Sequence, residues 1–223
     1  MKPVGPDRRG GRVQSIERHD VRAWRLSIAV AALLACSIAA AAEPREDGLR
    51  PIVDCVRRGS FTLVGEATKR WPASSDHRTV ATAAGPRRVS VADGYLLVLE
   101  TGPATPFVNL RIERSVPGSF AADRGAVLAQ MQTFSDRLGP ADRRLQISER
   151  DGIEIMALNE PRTDVAGAIG VYSLFVPRAT IVATVYIVNQ VPEKRRVIDM
   201  REYEAMRDRL VDELVACLKP VAR

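Results

Sequence analysis

Ser74, Ser75, Asp76 and His77 are chain neighbours with the residue types of a nucleophile, a base and an orienting carboxylate. A hydrolytic triad needs the histidine held in space between the other two. Neighbours in a polar loop seldom converge that way, and no GxSxG turn is present to lift a serine above a sheet. A solvated loop is the simpler reading of 74–77. Glu154 and Glu160 could divide acid and base roles if burial separated their pKa values; a charge at a sheet edge explains Glu154 equally well. Lys194-Arg195-Arg196 is the densest basic run. It could meet an acidic partner or lipid headgroups, yet such charges contribute only about 1 kcal/mol each at a membrane surface. Neither GxGxxG nor GxxxxGK[ST] occurs, so no cofactor is expected.

Three cysteines are present, Cys36, Cys55 and Cys217. Cys36 falls in the apolar stretch Leu26 to Ala42, which carries no charge and follows Arg18, Arg22 and Arg25. Basic, apolar, small and then polar residues are the order of a secretory signal peptide, so residues 1–42 are read as one, cleaved after Ala41 or Ala42. The alternatives are a retained membrane anchor, or a lipoprotein signal (Leu33-Leu34-Ala35-Cys36) in which Cys36 is acylated. The long region before the signal suggests an internal start at Val13 or Val21. Export leaves Cys55 and Cys217, an even pair in an oxidising compartment, and a disulfide is expected between them; two separate buried thiols are the rival reading. A metal site is not expected: beyond residue 42 the chain holds one histidine, His77, and no CxxC pair.

Residues 1–42 also hold seven of the 33 Lys and Arg and three of the 27 Asp and Glu. The remainder carries 26 basic against 24 acidic residues, a net +2, so the high pI is no argument for nucleic acid. Membrane contact is expected only through the signal segment or a lipid anchor.

The elements that must position these residues follow from periodicity. Residues 43–86 read as a polar leader and an irregular segment, with a helical turn near Cys55 and a short strand at Phe61 to Val64. The core covers 87–223 and forms a single domain with 49–86. Arg87–Ala92 and Tyr95–Glu100 read as a hairpin about Asp93-Gly94. Phe107–Arg114 alternates Val108, Leu110 and Ile112 with Asn109, Arg111 and Glu113, a strand with one wet face. Phe120 to Leu138 steps by three and four as an amphipathic helix, started at Ser119 and stopped at Gly139-Pro140. Arg143–Glu149 and Ile153–Leu158 pair about Asp151-Gly152. Ala168–Val176 and Thr180–Asn189 turn at Pro177-Arg178, and the second is apolar on both faces and so central. A helix from about Met200 to Leu218 closes the chain, with Tyr203, Met206, Leu210, Leu214 and Cys217 on its buried stripe. Its charged residues, Arg207 and Asp208 among them, read as a solvated face. The fold class is α+β: an antiparallel sheet of six or seven strands packed with two amphipathic helices.

The segments YLLVLETGPATPFVNLRIERS, SFAADRGAVLAQMQTF, IEIMALN…IGVYSLFVPRATIVATVYIVNQ and REYEAMRDRLVDELVACL resemble, in their order, the Mog1/PsbP-like fold, including bacterial domains of the DUF1795 type. The likeness covers residues 87–218 and carries no specific motif. It implies a scaffold that is mostly non-enzymatic and binds other proteins, and it transfers no site residue. The expectation is an exported bacterial binding module with a protein partner in the cell envelope, periplasmic or secreted. The alternatives are an outer-membrane lipoprotein and a hydrolase using the Ser, His and carboxylate residues.

Overall fold

Apart from Thr184, Ile181–Val188 is apolar at positions of both parities, so neither side of this strand suits water. In the structure, a computed structural model, it lies at the centre of an antiparallel sheet. The structure describes residues 47–70, 77–100, 107–137, 145–159, 168–189 and 199–223. Their order is α1 (Arg50–Arg57), β1 (Thr62–Leu63), β2 (Thr68–Arg70), β3 (His77–Thr82), β4 (Gly85–Glu100) and β5 (Phe107–Ser115). There follow α2 (Phe120–Arg137), β6 (Gln146–Arg150), β7 (Ile153–Asn159), β8 (Ile169–Val176), a 3-10 turn at Pro177–Ala179, β9 (Ile181–Val188) and α3 (Met200–Ala222). Across the sheet the strands run β1-β4-β5-β9-β8-β7-β6, with β2 and β3 also paired to β4. The fold is the α+β sandwich expected, with nine strands and a third, short helix among the described residues.

Both faces of β9 are covered. On one, Ile181, Ala183, Val185 and Ile187 join Leu174 of β8 and Leu110 of β5 against α1 and α3. On the other, Val182 joins Phe175, Val171 and Met156 against Ala126, Val127 and Met131 of α2. Asp199 starts α3 by accepting the N–H groups of Arg201 (2.7 Å) and Glu202 (3.2 Å). Buried Tyr203 then donates its hydroxyl to the Ile187 carbonyl at 3.0 Å, fixing α3 on β9. Ser119 stands at the start of α2 as expected, with its hydroxyl on the Asp123 carboxylate at 2.8 Å. That carboxylate also accepts the Ser90 N–H at 2.8 Å and ties the helix to β4.

Two expectations are corrected. Asp93-Gly94 is no turn: β4 runs unbroken from Gly85 to Glu100, and neither residue takes a positive φ. The chain reverses earlier, at Ala83-Ala84, where Thr82 pairs with Gly85 and Gly85 has φ 104°. A bulge between Val91 and Asp93 replaces the expected hairpin. One extra residue reverses which face the odd positions address, so Val89 and Val91 pack under α2 while Tyr95, Leu97 and Leu99 pack under α1 and α3. The segment 66–86, read as irregular, contains β2 and β3. Its low apolar content hid two strands whose register is supplied by β4. The Asp151-Gly152 hairpin is as expected, with φ 55° and 77° and Arg150 paired to Ile153.

Several sequence readings lie outside the described residues: the segment 26–42 with Cys36, the residues Ser74, Ser75 and Asp76, Glu160, and the cluster Lys194-Arg195-Arg196. Of the loop 74–77 only the backbone of His77, opening β3, is described.

Cys55 on α1 and Cys217 on α3 are disulfide-bonded, with Cα atoms 5.6 Å apart and a sequence separation of 162. The bond joins α1 to α3 over one sheet face. Closing so long a loop is worth about 5 kcal/mol in the chain-entropy model. A variant carrying Cys55→Ser and Cys217→Ser should therefore unfold at a clearly lower urea midpoint with a similar native CD spectrum. An unchanged midpoint would show that the bond adds nothing to packing of α1.

Candidate functional site

A broad concavity lies between β6 and α3, over β7 and β8, with a volume of about 580 Å³. Its floor is Ile155, Ala157 and Asn159 of β7 with Tyr172 of β8, and its walls include Ser148 of β6 and Arg207 of α3. β6 forms the outer wall because it is the last strand of the sheet, and all five of its residues are exposed. Ile147, at 52 %, is an exposed large apolar side chain on the outermost described strand. At the turn end Arg150 donates to Asp212 at 2.7 Å, and Lys219 meets Asp151 at 2.9 Å, clipping the β6–β7 hairpin to α3.

The floor is polar and tightly arranged. The Tyr172 hydroxyl donates to Asn159 Oδ1 at 2.8 Å. Gly170 lets three side chains meet above it: a Cβ there would stand 3.2 Å from Asn159 Oδ1, 3.3 Å from Tyr172 Cε2 and 3.4 Å from Arg207 Cδ. Burial raises the Tyr172 pKa above the usual tyrosine value, against the opposing pull of Arg207 and the Asn159 bond. Burial works against the charge of Arg207 too, but the hydrogen bond from its Nε to Asp208 at 2.9 Å and the nearby Tyr172 and Glu204 outweigh it, so its pKa is raised. The groove thus offers a neutral phenol, an amide and a fixed cation beside an open strand edge. These are groups that bind and orient.

The sequence readings separate clearly here. Glu154 does not stand free: it accepts two hydrogen bonds from Arg124 of α2, one of 2.6 Å from Nε, and holds that helix against β7. The charged face of α3 is corrected at one position. Arg207, with its side chain only 14 % exposed, turns inward over the groove while Asp208 at 62 % faces water. Its place was readable, four residues after buried Tyr203 and four before buried Val211. Among the described residues no group of three His, Cys, Asp or Glu is placed to hold a metal ion, and no helix is long and apolar enough to cross a membrane.

Comparison with protein-family models, with curated proteins and with solved structures returned no match.

A raised folded pKa means that Tyr172 contributes stability that is whole below the unfolded tyrosine value, about 10, and is lost as pH rises through the folded value. The alkaline absorbance titration of the native protein should contain a component above pH 10 that Tyr172→Phe removes. An unaltered titration curve in the variant would contradict the buried placement of this phenol.

Proposed function

We propose that the chain is an exported, non-enzymatic binding module of the bacterial periplasm, and that it takes a protein partner along the open edge of β6. The observation that carries this reading is the edge itself. Two-residue hairpin geometry makes Arg150 and Ile153 a hydrogen-bonded pair, so Ser148 and Gln146 also bond to β7 while Ile147 and Glu149 aim their N–H and C=O groups outward. An added strand would complete those bonds, the way extended segments join sheet edges elsewhere. Its side chains would reach Ile147 on one face and the groove on the other. A single apolar residue among exposed polar ones gives specificity without inviting indiscriminate aggregation.

Support for export comes from the segment 26–42 and from a cystine suited to an oxidising compartment. The resemblance in element order to a family of binding scaffolds favours a protein ligand over a substrate. The alternatives of a lipid-anchored envelope protein and a hydrolase rest on Cys36 and on Ser74, Ser75 and Asp76, which lie outside the described residues.

Site-specific photo-cross-linking in the periplasm tests the proposal. A probe at Ile147 should yield one discrete heavier species, and a probe at Val116, exposed elsewhere at 40 %, should not. Glu149→Pro removes an outward N–H without touching the β7 ladder, and should abolish the Ile147 adduct while CD remains native. No adduct from Ile147, or one indifferent to the proline, would overturn the reading.

A further inference from the structure

The sheet face opposite the cystine carries polar side chains at its centre, where packing would favour apolar ones. Arg111 of β5, Thr184 of β9 and Ser173 of β8 are direct cross-strand partners, so their side chains line one rung on the same face. Asn109 and Tyr186 are partners on the next rung. Ser173 and Thr184 are 1 % and 2 % exposed, yet neither hydroxyl oxygen has a hydrogen-bond partner among the described residues. Native proteins rarely leave buried hydroxyls unmet.

Glu113, two residues from Arg111 and on the same face, is occupied by Arg78 of β3, whose Nε lies 3.0 Å from its carboxylate; those side chains are 4 % and 9 % exposed. Gly94 keeps the space above β4 clear for this pair, since a Cβ there would stand 3.1 Å from Glu113 Cγ. Arg111, half-buried, has no ion pair or hydrogen bond to a described residue. The α2 helix crosses the neighbouring rung, where Phe120 meets Phe175 with ring centroids 6.3 Å apart. The Arg111 rung is one step further along the strands; its β7 end, Met156 opposite Ser173, is buried under α2, while its β5 end, Arg111, is half-buried.

We propose that this rung holds an oxyanion, the carboxylate or phosphate group of a small molecule, with Arg111 as its charged partner and Thr184 and Ser173 as hydroxyl donors. A guanidinium in a partly desolvated position matches a planar or tetrahedral oxyanion with paired N–H groups. Hydroxyls beside it supply the remaining donors. This site is on the opposite face from the β6 groove and stands or falls separately from the protein partner.

The test is an NMR titration of the full folded protein with inorganic phosphate and, separately, acetate, sodium chloride holding the ionic strength constant. At least one anion should shift the Arg111 Nε–H and the amides of 173 and 184 along a saturable curve. Arg111→Gln should weaken that binding by about tenfold or more, the loss of one charge-assisted contact. Thr184→Val gives an independent reading: removing an unmet hydroxyl should leave the ligand-free melting temperature equal or higher while binding weakens. Absence of saturable shifts with both anions overturns the proposal, and so does binding that Thr184→Val leaves unchanged.

Discussion

A central strand that must exclude water from both of its sides governs this molecule. β9 can do so only with strands along each edge and helices on each face, and the remaining elements supply that cover. Among the described helices α2 covers one face, anchored through Asp123 at its start and Thr133 near its end, whose hydroxyl accepts the Ala83 N–H at 2.8 Å. The opposite face takes α3 and the shorter α1. Eight residues make a poor helix alone; buried Ile52, Val53 and Val56 seat α1 on the core, and the cystine ties it to α3. The β4 bulge belongs to the same solution, because it lets one strand contribute Val89 to the first core and Leu97 to the second.

Full enclosure of the middle makes polar groups there costly unless each is paired. Arg78 with Glu113 and Arg124 with Glu154 meet that cost by pairing. The two sheet margins then differ in kind. Along β4 the outer margin is broken into β1, β2 and β3, and such interruption protects an edge. Along β6 the margin is a straight run of five exposed residues beside a polar groove. Local order in the groove comes from Gly170, which admits Tyr172, Asn159 and Arg207 to one small volume.

Periodicity made most of the framework readable. The alternation through Phe107–Arg114, the helical steps of 120–137 and 200–218, and the Asp151-Gly152 turn each state a local preference that the tertiary structure keeps. The failures arose where a partner decides the conformation. Asp93-Gly94 tolerates a turn as well as a bulge, and only pairing with β5 on one side and β2 on the other selects the bulge. β2 and β3 have too few apolar residues to announce themselves and exist because β4 offers an edge. The site was less legible still. Arg207 is one charge among many on a helix whose buried stripe could have claimed it, and the groove depends on a β8 glycine that looks ordinary in sequence. The pairing of Cys55 with Cys217 needed no such context, because their count and their helical positions pointed to each other.

Backbone amide hydrogen exchange tests the central claim, a doubly covered middle strand with an open margin at β6, most directly. Amides of Val182 to Ile187 should exchange only through global unfolding, while those of Ile147 and Glu149 should exchange within the fastest class of strand amides. Equal protection of Ile147, Glu149 and β9 would contradict the account, because it would mean that the β6 edge is already covered or that β9 is not the protected centre.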